Sequence, residues 1–237
     1  MKYEIIIFDA DETLFDFKMS ERDAFKNTML EFDVAYDEDH HLKVYHGINS
    51  AIWKEFEKGL ITQEKLKIER FKRLSDKLEI KFDENKFAKS YMNHLSNASF
   101  LYDDSIELVE SLHKDYKLTI ITNGLKDVQD KRIRKSIIAK YFQDIVVSEE
   151  IQIAKPDPKI FEHALNNINH TDKSKVLMVG DSLTSDIRGG INFGIDTCWY
   201  NPNKLVNTTK IKPTYEISDF KELKEILSTN RNTIEMD

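Results

Sequence analysis

Short apolar strands that each end in polar residues recur along this chain, and they constrain its fold more than any other feature. The first, Ile5-Ile6-Ile7-Phe8, runs directly into Asp9-Ala10-Asp11-Glu12-Thr13. Leu118 to Ile121 precedes Thr122-Asn123-Gly124, Ile145 to Val147 precedes Ser148-Glu149-Glu150, and Val176 to Val179 precedes Gly180-Asp181-Ser182. Thr197 to Tyr200 is a further strand of this kind. Apolar residues at helical spacing, such as Ile106, Val109 and Leu112, fill the stretches between them at about 105–115, 126–138, 158–168 and 184–193. Strands that alternate with helices need long crossover connections, so the expected class is α/β with a doubly wound parallel sheet covered on both faces.

Residues 17–96 interrupt the alternation and read as three or four helices without a strand. Ser20, Asp37, Thr62 and Asp83 have side chains suited to cap helix N-termini, and Gly59 suits a helix C-terminus. Leu66, Phe71, Leu74 and Leu78 read as the core of this insert, as do Tyr45, Trp53 and Tyr91. The expected organisation is a core of residues 1–16 and 97–228, an inserted helical cap of 17–96 and a frayed polar tail, 229–237.

Composition removes several function classes. The 35 Lys and Arg against 42 Asp and Glu give a net charge of −7 that is spread along the chain, so no nucleic-acid polymer is an expected partner. No apolar run approaches the ~20 residues that span a bilayer, and the run at Ile5–Phe8 is flanked by acidic residues. Neither a membrane association nor a secretory leader is expected. Cys198 is the only cysteine, which excludes an intrachain disulfide and paired-cysteine zinc sites and fits a cytoplasmic location. His40 and His41 lack a second cluster of ligands and read as surface residues.

Ligands of open parallel sheets collect at the carboxyl ends of the strands. There this sequence places Asp9 and Asp11, Thr122, Lys155, and Asp181 with Asp186. Carboxylates converging from two strand ends repel each other unless a cation lies among them, and a hard divalent ion such as Mg²⁺ suits oxygen ligands and phosphate. Lys155 adds a second positive charge, Thr122 a hydroxyl, and Asn123-Gly124 backbone N–H groups beside a glycine that permits close approach. These are the parts of a phosphoryl-transfer site, in which Asp9 can attack phosphorus and Asp11 can carry the proton.

In sequence order, Asp9-Ala10-Asp11-Glu12-Thr13, Ile120-Ile121-Thr122-Asn123-Gly124, Lys155-Pro156-Asp157-Pro158 and Gly180-Asp181-Ser182-Leu183-Thr184-Ser185-Asp186 resemble the four motifs of the haloacid dehalogenase superfamily. Within it the chain is similar to the magnesium-dependent phosphatases. The resemblance spans almost the whole chain and includes an insert where the family places its helical cap. It implies that Asp9 is the nucleophile and a metal ligand, and that Asp11 is the general acid/base and binds the metal through its backbone carbonyl. It also implies that Asp181 is the third metal contact, with Asp186 supporting the metal's water shell or Lys155. Thr122, Lys155 and the Asn123 amide would hold the phosphate.

The motif departs from the commonest family pattern at Glu12, where glycine is usual. The strings Asp9 to Leu14, Ser185 to Ile191 and Thr197 to Asn201 are similar to those of bacterial nucleotidases that act on pyrimidine nucleoside monophosphates. The expected partner is therefore a small phosphate ester, foremost a pyrimidine nucleoside 5′-monophosphate hydrolysed through an aspartyl-phosphate, with the cap selecting the leaving group. The alternative is another phosphometabolite, such as a sugar phosphate or phosphoglycolate. A dehalogenase is disfavoured because Asp11 is present.

Overall fold

The computed structural model describes residues 2–232, which form two compact units. One comprises residues 2–16, 101–126 and 133–232, the other residues 17–100 and 127–132. The first is built on six strands: β1 (Ile5–Phe8), β2 (Lys117–Thr122), β3 (Phe142–Val147), β4 (Val176–Gly180), β5 (Asp196–Tyr200) and β6 (Tyr215–Ile217). All pair in parallel, in the order β3-β2-β1-β4-β5-β6. The four residues of β1 are fully buried, as a central parallel strand requires.

Alternation along β1 sorts the core into two layers. Ile6 and Phe8 join Leu118, Ile120, Leu177 and Val179 on one face, with Leu108, Val109 and Leu112 of helix Ser105–Leu112 and Leu223 and Leu227 of helix Phe220–Asn232. Ile5 and Ile7 join Ile121, Val176 and Met178 on the other, under Ile160, Phe161 and Ala164 of helix Pro158–Asn167. The registers Phe8↔Ile120 and Phe8↔Val179 bring the ends of β1, β2 and β4 level. The sheet grows outward in opposite directions from β1 and β4, and this reversal is where open α/β sheets form their ligand crevice.

The expected strands are present, with β3 beginning at Phe142, and β6 is an addition. The segment expected to be helical over 126–138 stops at Arg132 and turns, with Ser136 Oγ donating to the Ile133 carbonyl. The segment 184–193 begins as a wide π-helical turn, Leu183–Ile187, before continuing as a helix, Arg188–Phe193. The two glycines of that helix pack closely: a Cβ on Gly189 would lie 2.7 Å from the Phe161 ring, and one on Gly190 2.5 Å from Thr197 Cγ2. The last helix runs to Asn232, so 229–232 are helical where a frayed tail was expected; 233–237 lie outside the described residues.

The helical unit contains helices Phe17–Glu31, Lys43–Glu57, Gln63–Leu78 and Glu84–Asn97. Asp37, Thr62 and Asp83 accept from the backbone N–H groups of His40, Lys65 and Lys86, each capping the turn or helix that follows. Gly59, at φ 69°, follows the Lys43–Glu57 helix. Ser20 is not a cap: it lies inside the first helix, buried, and accepts from Arg132. Residues 127–132 join this unit rather than the core because Arg132 is fully buried, donates to the Ala98 carbonyl and covers the Phe17 ring. Tyr45 stacks on Phe25 at 4.5 Å and on Phe71 at 5.7 Å, so it is core, as is the buried Tyr91; Trp53 is half-buried against Phe56.

Candidate active site

Every expected site residue belongs to the sheet-containing unit and stands at the carboxyl end of a strand or in the loop beyond it. Asp9 leaves β1 with its N–H donating to the Val179 carbonyl of β4. The chain then turns sharply, with Leu14 and Phe15 N–H both bonding the Ala10 carbonyl. Glu12 sits in that turn at φ 62°, a left-handed conformation that glycine adopts without strain. The departure from the usual glycine is thus a side chain carried on a backbone shape that still favours glycine.

Lys155 is the hub. Its ammonium contacts Asp9 Oδ1, lies 2.7 Å from Asp186 Oδ1 and donates to the Ile121 carbonyl at 2.7 Å. The residue is 2% exposed, so its charge is held by these three oxygens. Its backbone is fixed too: the Asn123 side chain donates to the Lys155 carbonyl at 2.9 Å and accepts from the Lys155 N–H at 2.8 Å. Thr122 is buried beside it, its Oγ1 accepting from Gly124 N–H.

Asp186 is fully buried and held by Lys155, by the Ser182 N–H at 2.9 Å and by Ser185 Oγ at 3.3 Å. Gly180 makes room for it, since a Cβ there would fall 2.3 Å from Asp186 Oδ2. Asp181, the residue after β4, has its carbonyl fixed by the indole N–H of Trp199. One oxygen from each of Asp9, Asp181 and Asp186 lies within 4.8 Å of the others. The Asp11 carboxylate is outside this trio; Asp11 is half-buried at the rim of the β1 turn.

The electrostatics follow from crowding in a dry place. Burial pushes the Asp9 carboxyl up to about 7 against the pull of Lys155, with Asp186 and Asp11 adding to the rise. Asp181 is raised well above the ordinary carboxylate range by burial, then by Asp186, Asp9 and Glu12. Burial alone would lower Lys155, but Asp186 and Asp9 outweigh it and hold the ammonium above its usual value. The cluster has more acid than Lys155 neutralises. Cys198 is buried and burial pushes its thiol up to about 12, so it is an inert core group rather than a nucleophile.

Local sequence patterns do not reveal three of these features. They are the Asn123 side chain's grip on Lys155, the Ser182 and Ser185 donors to Asp186, and the Trp199 bond to Asp181. The glycine of Gly180-Asp181 is visible in the sequence, but its reason, the space occupied by Asp186, is not.

Carboxylates and one ammonium converging at the switch point of a doubly wound sheet define a hydrolase-type α/β centre. The family model of haloacid dehalogenase-like hydrolases matches residues 6–200, and the chain belongs to that family. Pyrimidine 5′-nucleotidase PynA of Streptococcus pneumoniae is 37% identical, the alignment covering 97% of each chain. Pyrimidine 5′-nucleotidase YjjG of Escherichia coli is 34% identical over 96% of this chain and 99% of its own. The crystal structure of the HAD-hydrolase YfnB of Bacillus subtilis bound to magnesium superposes with a TM-score of 0.90 at 33% identity, covering 96% of this chain and 99% of that one. No described helix is long and apolar enough to cross a membrane.

Proposed function

We propose that this hydrolase is a magnesium-dependent phosphomonoesterase acting on pyrimidine nucleoside 5′-monophosphates through an aspartyl-phosphate on Asp9. The observation that carries the chemistry is the Lys155 ammonium lodged between Asp9 and Asp186, with Asp181 alongside. That arrangement orients Asp9, keeps a cation beside the position of a transferring phosphoryl group, and leaves carboxylate charge over for a metal.

The donor set fits Mg²⁺. Its oxygens are hard, and Asp186 is occupied by Lys155, Ser182 and Ser185, so Asp9 and Asp181 are the carboxylates with which to hold the ion, together with the Asp11 carbonyl. Bound there, Mg²⁺ would neutralise charge on the phosphoryl oxygens. Asp9 Oδ attacks phosphorus as the bond to the ribose 5′ oxygen breaks, and Asp11 protonates that departing oxygen. Asp11, now ionised, takes a proton from water, which attacks phosphorus and releases inorganic phosphate and free Asp9. Thr122 Oγ1 and the Asn123 backbone N–H hold the phosphoryl oxygens, and the Lys155 ammonium, bonded to Asp9, Asp186 and the Ile121 carbonyl, lends its positive charge beside them.

The pyrimidine preference is supported by the two nucleotidase relatives that align with nearly the whole chain. It is tested by comparing kcat/KM for UMP, dUMP and dTMP with AMP, GMP, phosphoglycolate, a sugar phosphate and p-nitrophenyl phosphate. The expected result is that a pyrimidine nucleotide exceeds all the others. A purine nucleotide or a small phosphometabolite at the top would overturn the substrate assignment and leave the phosphatase chemistry standing.

A further inference from the structure

We propose that Trp199 is a positioning residue for the acidic loop that follows β4, and that its indole N–H sets the affinity of the site for Mg²⁺. The inference rests on the magnesium reading above. Trp199 lies on β5 directly beside Gly180, the last residue of β4. Its Nε1 donates to the Asp181 carbonyl oxygen at 2.8 Å. The ring is 3% exposed and packs against Ile187 and Ile211, with Leu183 alongside. Leu183 and Ile187 are the first and last residues of the π-helical turn that carries Asp186. One side chain therefore bonds the backbone of Asp181 and packs against both ends of the turn bearing Asp186.

Such a tether has a physical task. Asp9, Asp181 and Asp186 repel one another, and the loop holding two of them is the part that can spread. Asp186 is restrained through its carboxylate by Lys155 and the Ser182 N–H. The restraint on Asp181 is on its backbone, through Trp199. Partners that orient metal ligands commonly alter metal affinity by ~10- to 100-fold when removed.

Trp199→Phe keeps an aromatic ring against Ile187 and Ile211 and removes the N–H. The test is calorimetric titration of the metal-free protein with Mg²⁺, comparing wild type, Trp199→Phe and Trp53→Phe. We expect a Kd ~10-fold or more weaker for Trp199→Phe and an unchanged one for Trp53→Phe. Activity on p-nitrophenyl phosphate should return towards the wild-type kcat at saturating Mg²⁺, a recovery that general loss of structure would not allow. If Trp199→Phe does not fold, 3-benzothienylalanine at that position preserves the bicyclic shape without the donor. The wild-type protein offers a second readout, because the sequence has only 2 Trp residues. In a ¹H–¹⁵N spectrum the Trp199 indole peak should shift on Mg²⁺ addition while that of Trp53 stays in place. A wild-type Kd in the variant, or an unmoved Trp199 indole peak, would overturn the positioning role. Failure of the wild-type protein to bind Mg²⁺ would overturn the magnesium reading and this inference with it.

Discussion

Asp9 and Asp11 are two residues apart, yet their surroundings differ in the way the proposed mechanism needs. Asp9 is buried against Lys155, which fixes its carboxylate, whereas Asp11 sits half-exposed at the rim, a place that suits proton exchange with a leaving group and with water. Asp9→Asn should therefore lower kcat by at least ~10³-fold on every substrate, since no covalent step remains. Asp11→Asn should cost ~10² to 10⁴ on a nucleotide, where the departing alkoxide needs a proton. It should cost less on p-nitrophenyl phosphate, whose leaving group departs as a stable anion. Equal losses on both substrates would remove Asp11 from the acid role. Asn123 poses a different question, because both ends of its amide are bonded to the Lys155 backbone. Lys155→Ala is expected to cost ~10² to 10³ in kcat/KM, by analogy with other preorganised donors. Asn123→Ala should cost less alone and almost nothing further in the Lys155→Ala background, since the lysine it positions is then gone. A double-mutant cycle reads this directly, and simple additivity would show that Asn123 acts independently of Lys155.

At the level of elements, the helix Arg188–Phe193 shows packing overriding intrinsic preference. Alanine is ~1 kcal/mol better than glycine inside a helix, so Gly190→Ala looks stabilising on propensity alone. The added Cβ, however, would lie 2.5 Å from Cγ2 of Thr197, a fully buried strand residue whose Oγ1 accepts from the Thr214 N–H. Thr is β-branched and bonded, so it has little freedom to yield. Overpacking of ~1–3 kcal/mol should win, and thermal denaturation should show a Tm lower by several degrees. An unchanged or higher Tm would mean that the helix lifts off the sheet without cost. The same contrast explains what the sequence disclosed. β1 to β5 and the residues at their ends are legible because apolar runs that stop at a small polar residue or glycine, here Asp9, Thr122, Ser148, Gly180 and Asn201, declare a buried strand and its rim. β6, only Tyr215-Glu216-Ile217, is too short to carry a period. Ser20 resembles a cap in isolation, whereas in the fold it is buried and accepts from Arg132, 112 positions away. Arg132 also draws 127–132 out of the sheet unit, through a bond to Ala98 that spans 34 positions. The grip of Asn123 on Lys155 and of Trp199 on Asp181 likewise joins residues from different strand ends, which local periodicity does not encode.

For the whole molecule, an ion held by the acidic cluster would couple metal binding to stability and pH. The chain already carries a net charge of −7, and within the site burial and neighbouring carboxylates push the carboxyls of Asp9 and Asp181 above their usual range. A carboxyl whose folded pKa lies above its unfolded value holds its proton more tightly in the native state. Its contribution therefore favours folding at low pH and is lost as pH rises from the unfolded value near ~3.9 through the folded one, about 7 for Asp9. Without a divalent ion, the site should thus grow more costly to maintain from about pH 6 to about pH 8. Mg²⁺ held by Asp9 and Asp181 would oppose that cost, and at 100 times its Kd would add ~2.7 kcal/mol, or roughly 5–10 °C in Tm. The Mg²⁺-induced rise in Tm should then be larger at about pH 8 than at about pH 6, because protons compete with the ion for the same oxygens. Asp9→Asn, which removes one of the repelling charges, should raise Tm in EDTA at about pH 8 and blunt the response to Mg²⁺. Differential scanning fluorimetry of both proteins at the two pH values, with EDTA or Mg²⁺ at matched ionic strength, makes the comparison. A response to Mg²⁺ that is the same at both pH values and in both proteins would place the ion's effect outside this cluster.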